Sequence, residues 1–207
     1  MIQMPLHTHT PIETLPSTQP TASPRVLALC GSLRQHSRCK ALLEASRLRA
    51  GPDLRFSHFE GLGALPLFNP DLLEAQAPPA VQAFWSAVDA ADVLLIASPE
   101  YAHGVTSVIK NALDWLVGHI PFTDKPVAVF NPSCRASHAD AALKETLRTM
   151  SARLIEGACQ QLDATRSRLS AQDMAASPDF APTLDAALQA MRSFATQHIH
   201  TDTQASC

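Results

Sequence analysis

The sequence predicts an α/β fold: one domain built as a three-layer sandwich, with a five-stranded parallel sheet between two layers of helices. Three observations carry this. Short apolar runs of strand length alternate with helix-period segments from Arg25 onward. At 207 residues, 46% hydrophobic and 17% charged, the chain can fill one sizeable core. Unusual loops follow the first and third strand-like runs, where a sheet of this kind binds its ligands.

The elements follow in order. Residues 1–24 carry prolines at 5, 11, 16, 20 and 24 among threonines, without a period, and read as a disordered leader. The leader lacks the basic start and apolar stretch of a secretory signal and contains no arginine, so a cytoplasmic location is expected. The domain is assigned to 25–200 and a flexible tail to 201–207. Val26–Cys30, Leu54–Phe59, Val93–Ala97 and Val127–Phe130 read as strands, and Leu154–Leu162 as a fifth. Helical patterns fall at about 38–50, 79–90, 105–118, 138–152 and 181–197. Right-handed crossovers then favour the flavodoxin-like strand order 2-1-3-4-5, whose ligand site lies at the carboxyl ends of strands 1 and 3.

Both loops at that switch point look specialised. After the first strand comes Gly31-Ser32-Leu33-Arg34-Gln35-His36-Ser37, leading into a helix. Unpaired N–H groups at a helix start, two hydroxyls and a guanidinium suit a phosphate. After the third comes Ser98-Pro99-Glu100-Tyr101-Ala102-His103-Gly104. Pro99 ends strand pairing, and Gly104 is read as a point where the main chain approaches a flat ligand. Tyr101, the only tyrosine, can stack on an aromatic cofactor. The following helix has one apolar face, at 105, 108, 109, 112, 113 and 116. Lys110 and Asp114 can pair four apart along the helix, and Trp115, near the apolar stripe, packs in the core or a subunit contact.

Several chemistries are excluded. A net charge of -3 gives no basic surface for nucleic acid, and no apolar run approaches the ~20 residues that span a bilayer. The five cysteines form no CxxC pair and read as free thiols; His7/His9 and His198/His200 have no ligand cluster nearby, so no metal site is assigned. Only three residues separate Cys30 from Arg34, too few for a thiolate phosphatase loop. Neither GxSxG, GxGxxG nor GxxxxGK[ST] is present.

Gly31-Ser32-Leu33-Arg34 with Ser37, Ser98-Pro99-Glu100-Tyr101 and Lys110-Asn111-Ala112-Leu113-Asp114-Trp115 together resemble the NADPH-dependent FMN reductase family, as does the connector Leu65-Pro66-Leu67-Phe68-Asn69-Pro70-Asp71. The resemblance spans roughly Arg25 to Leu162. It implies a flavodoxin-like fold, bound FMN, and NADPH or NADH as donor. It also implies a small acceptor (quinone, azo compound, free flavin or metal oxyanion) and a homodimer or homotetramer. Ser32, Arg34 and Ser37 match positions that hold the FMN phosphate, and Pro99, Glu100, Tyr101, Ala102, His103 and Gly104 the loop along the isoalloxazine ring. Cys39 stands where an asparagine is common, and Ser107 where a glycine is common. The loop Asn131–His138 lacks the usual glycines, leaving Ser133 and Arg135 as candidates for the third wall.

The flavin carries such chemistry, so no side chain is assigned as catalytic. Donors from the Glu100–Gly104 loop and the helix start near Val105 are placed to stabilise charge near N1 and O2 of the ring. The competing reading is a non-enzymatic flavin-binding electron carrier or redox-responsive interaction protein. Such carriers tend to be strongly acidic, and -3 is mild.

Overall fold

A computed structural model describes residues 23–164 and 169–205; most of the leader lies outside the described residues. The elements are β1 (Arg25–Cys30), α1 (Arg38–Ala50), β2 (Arg55–His58), α2 (Asp71–Ala75), α3 (Pro79–Ala90), β3 (Val93–Ala97), β4 (Glu100–Tyr101) and β5 (Gly104–Val105). They continue with α4 (Ser107–Leu116), β6 (Pro126–Asn131), α5 (Ser137–Thr149), β7 (Arg153–Leu154), β8 (Gln160–Gln161), α6 (Ala171–Ala176) and α7 (Ala181–Ala205). The last helix thus runs beyond residue 200, into the segment read as a tail.

The sheet is parallel in the order β2-β1-β3-β6, with β7 and β8 both on the free edge of β6. This is the expected order, with its fifth position divided. Leu154–Leu162 does not run as one strand because Glu156–Ala158 forms a 3-10 turn that sends Ile155 and Ala158 into the core. Those apolar residues stand three apart, a spacing that a straight strand would split between its two faces. Two separated two-residue strands also leave a short edge with little to offer another chain.

Strand side chains alternate between two cores. Val26, Ala28, Val93, Leu95, Ala97, Ala128 and Phe130 face α1, α6 and α7. Leu27, Leu29, Leu94, Ile96, Val127 and Val129 face α3, α4 and α5. Residues pointing both ways are buried, so the central strands read as continuous apolar runs. The connector from β2 is pinned by α4. Asn111 Nδ2 donates to Pro66 O (2.9 Å), Trp115 Nε1 to the same oxygen (2.8 Å), and Phe68 N to Asn111 Oδ1 (2.8 Å). Trp115 is fully buried, which decides for a core position over a subunit contact. Among the described residues, no helix is long and apolar enough to cross a membrane.

Candidate functional site

Three loops meet at the carboxyl ends of β1, β3 and β6. In the first, Gly31 N donates to Ala97 O at 2.8 Å. A Cβ on Gly31 would lie 2.5 Å from Ser98 Oγ and 2.8 Å from both Ser98 Cβ and Ile109 Cγ1. The glycine is therefore required by the second loop, which lies directly against it. Gly31→Ala is expected to destabilise the fold by about 1–3 kcal/mol through this crowding. A urea unfolding curve checks it, and an unshifted midpoint would mean that Ser98 and Ile109 give way freely.

Ser37 has extended backbone and caps α1, its hydroxyl accepting from Lys40 N at 3.3 Å. Ser32 Oγ accepts from Arg34 N at 3.4 Å, shaping the turn. Arg34 is exposed on this turn and lines the cleft.

The second loop is a β-hairpin, which the sequence reading did not resolve. Glu100 pairs with Val105 and Tyr101 with Gly104, around a two-residue turn in which Ala102 and His103 take φ 50° and 59°. Positive φ at both central residues matches the twist of a hairpin but disfavours side chains bearing a Cβ. The strained positions are thus Ala102 and His103. Gly104, expected to be the point of close approach, pairs within the ladder, and a Cβ there would meet only Tyr101 O at 3.5 Å.

The hairpin also redirects its residues. Pro99, Glu100 and Tyr101 line the cleft, whereas Ala102, His103 and Gly104 do not. His103 instead stacks on His138 of α5, with ring centroids 4.4 Å apart and planes 12° from parallel. Glu100 Oε2 accepts from Ala139 N at 2.8 Å. It thereby caps α5, whose own cap residue, Ala136, supplies no side chain. The helix expected to begin near Val105 begins at Ser107 because Val105 belongs to the hairpin and the Thr106 hydroxyl accepts from Ile109 N.

The third loop keeps its shape without glycine. Asn131, 4% exposed, donates from Nδ2 to Ala136 O (2.8 Å) and accepts Ser133 N on Oδ1 (3.1 Å). Ser133 Oγ in turn accepts Arg135 N at 3.2 Å, and Gln161 Nε2 donates to Ser133 O at 3.1 Å. Side-chain-to-backbone turns replace the missing flexible residues. Asn131 and the capping role of Glu100 were not recognised in the sequence. A polar residue ending an otherwise apolar strand was the available signal for Asn131.

These loops enclose a cleft of about 1120 Å³ lined by Ser32, Arg34, Ser37, Cys39, Pro99, Glu100, Tyr101, Ser133 and Arg135, among others. Outside it, the described lysines and arginines are engaged with carboxylates, as in Arg25–Asp92 and Arg49–Asp185, with backbone carbonyls, as in Lys125 to Ala91, or with an aromatic ring, as in Arg153 over Phe194. The three described cationic side chains without a partner, Arg34, Arg38 and Arg135, all line the cleft.

Cys39 is 2% exposed, at the base of α1. Burial chiefly, with Cys30 adding to it and a hydrogen bond from Ser37 opposing it, pushes its thiol up to about 12. Cys39 therefore stays protonated at neutral pH. In native protein at pH 8, a maleimide should label the exposed Cys134 rapidly and Cys39 only on unfolding. Peptide mass spectrometry reads both, and rapid Cys39 labelling would contradict its burial. No group of three His, Cys, Asp or Glu able to hold a metal occurs among the described residues.

An FMN fits what is present. Unpaired guanidinium groups, two hydroxyls and the start of α1 suit its phosphate, and Tyr101, 54% exposed at the rim, offers a ring face. The doubly wound sheet with a cleft at its switch point defines a flavodoxin-like α/β protein. Residues 24–161 match the model of the NADPH-dependent FMN reductase family, and the chain belongs to that family.

The relatives agree. The chain is 40% identical over 113 residues to an NADPH:quinone oxidoreductase of Arabidopsis thaliana, covering 52% of this chain and 57% of that protein. It is 34% identical over 128 residues to an NAD(P)H-dependent FMN reductase of Pseudomonas aeruginosa, covering 59% and 69%. The chain thus spans just over half the length of the plant relative. Among solved structures it resembles FerB, a flavoenzyme NAD(P)H:(acceptor) oxidoreductase from Paracoccus denitrificans. That match has a TM-score of 0.68 and 26% identity, covering 84% of this chain and 98% of that one.

Proposed function

We propose that this protein binds FMN in the three-loop cleft and oxidises NAD(P)H at the expense of a small acceptor, quinones being the favoured class. The observation that carries this is the gathering of the described partnerless guanidinium groups around one large cleft at the sheet's switch point. The quinone and flavin reductases among its relatives support the reading.

Ser32, Arg34 and Ser37 would hold the phosphate, with N–H groups of the first turn of α1. The neutral Cys39 thiol sits beneath them as a weak donor in place of an amide. Pro99, Glu100 and Tyr101 would border the ring, and Ser133 and Arg135 would close its third side. Ala102, His103 and Gly104 support that border from behind, through the hairpin and the His103–His138 stack. When bound, FMN supplies acceptance of hydride and release of electrons to the acceptor. The protein supplies position and positive charge.

A homodimer or homotetramer is part of the proposal. Leu33, which lies against Gly63, and Leu67 on the same connector are 66% and 83% exposed, an apolar surface suited to a second copy. A cytoplasmic, reducing location accords with the four described cysteines being free thiols.

The decisive experiment is the visible spectrum of the purified protein, followed by FMN titration and steady-state NADPH oxidation with added quinone. Yellow protein and quinone-dependent turnover are expected. Protein that neither carries nor takes up FMN would overturn the proposal, and flavin that NADPH reduces only over many minutes would reduce it to an electron carrier.

A further inference from the structure

We propose that Arg38 selects the electron donor by binding the 2′-phosphate of NADPH, in an arm of the cleft beyond the flavin phosphate. The inference rests on the reading of the protein as an NAD(P)H-using flavin reductase.

The cleft lies just above the usual size range for one ligand. Single-ligand pockets run to roughly 300–1,000 Å³, against about 1120 Å³ here. Its lining runs on from the three loops to α1 and the end of β2, where Arg38, Ala41, Glu44, His58 and Glu60 contribute to it. It is continuous with the Ser32–Ser37 turn, so a second ligand's far end can lie there beside the flavin phosphate.

The charges in this arm are already sorted. Glu44 is bound by Arg47 at 2.6 Å and faces His58 at 3.4 Å, and Glu60 is bound by Lys40 at 3.3 Å. Both carboxylates are thereby taken, and Arg38 has no partner among the described residues. Arg38 also occupies the first position of α1, whose opening turn contains no acid. A cation there opposes the positive end of the helix and gains nothing within the protein. Local stability does not explain this residue, whereas an external dianion does.

Arg34 leaves the loop four residues earlier, from the turn closed on Ser32, and serves the flavin phosphate. A phosphomonoester carries three acceptor oxygens that a guanidinium meets two at a time. NADPH bears such a group on its adenosine ribose, and NADH has only a hydroxyl there. Arg38 therefore separates the two donors without touching the reacting atoms.

The test compares Arg38→Gln with the unaltered FMN-loaded protein. We expect the KM for NADPH to rise at least tenfold in the variant, against less than threefold for NADH. A calorimetric titration supplies a readout independent of turnover. The unaltered protein should bind 2′,5′-ADP at least tenfold more tightly than 5′-AMP, and Arg38→Gln should lose that difference. An unchanged NADPH-to-NADH ratio in a folded, FMN-loaded variant would overturn the assignment. So would weakened FMN binding with that ratio intact, which would give Arg38 to the flavin phosphate. Inorganic phosphate displacing 2′,5′-ADP at equal concentration would also overturn it, as an unspecific anion site. If neither nucleotide is oxidised, the enzymatic reading fails, while Arg38-dependent binding of 2′,5′-ADP would still support the subsite and its absence would refute it.

Discussion

Arg34→Ala is expected to weaken FMN binding by about 1.5–3 kcal/mol, the range for a hydrogen bond to a charged group. That is roughly a ten- to 150-fold rise in Kd. The expectation is clean because the Arg34 guanidinium has no partner within the described protein. Its removal breaks nothing internal and leaves no buried carboxylate orphaned. Apo-protein stability should therefore move by no more than about 0.5 kcal/mol. Flavin fluorescence quenching reads the affinity and urea unfolding reads the stability. Arg34→Lys should fall between, since it keeps the charge but loses the paired donors. Unaltered affinity in Arg34→Ala would remove this residue from the phosphate site.

The fold was legible because the signals that encode it are local. Val93–Ala97 and Pro79–Ala90 begin and end where their apolar patterns do, and Arg38 follows directly on the Ser37 cap. Strand order followed from handedness rules that need no contact information. The edge at Leu154–Leu162 was less legible, because Ile155 and Ala158 are drawn inward by α7 and the lower core, a tertiary demand that a single run of sequence does not display.

The site was legible as two loops but not as a connected structure. Ser98-Pro99-Glu100-Tyr101 marks a loop, yet nothing local says that its carboxylate crosses to the N–H of Ala139, 39 residues on. The hairpin was hidden for another reason. Two-residue turns are recognised by Asn-Gly or Gly residues, and here Ala102 and His103 occupy the left-handed positions while the glycine follows them. That conformation costs energy, which the Glu100 cap and the His103–His138 stack help to offset. Arg38 was also readable in principle. A cation on the first residue of a capped helix with no acid in its opening turn runs against helix electrostatics, the signal from which its proposed role is argued.

Trp115→Ala is expected to have the largest effect on stability, about 3–5 kcal/mol, the usual cost of emptying a buried aromatic site. Trp115 is fully buried, its indole N–H holds Pro66 O, and Phe68 rests edge-on against its ring at 5.1 Å. The substitution thus opens a cavity and loosens the connector. Trp115→Phe separates the two causes. It keeps most of the apolar volume and loses the N–H, but Asn111 Nδ2 still serves Pro66 O, so about 1 kcal/mol or somewhat more should be lost. Urea unfolding of the apo-proteins measures both. Trp115 does not line the cleft, so the folded fraction of either variant should bind FMN as the unaltered protein does. A folded Trp115→Ala protein with impaired FMN binding would show that the Leu65–Phe68 connector, and not the three loops alone, sets the shape of the cleft.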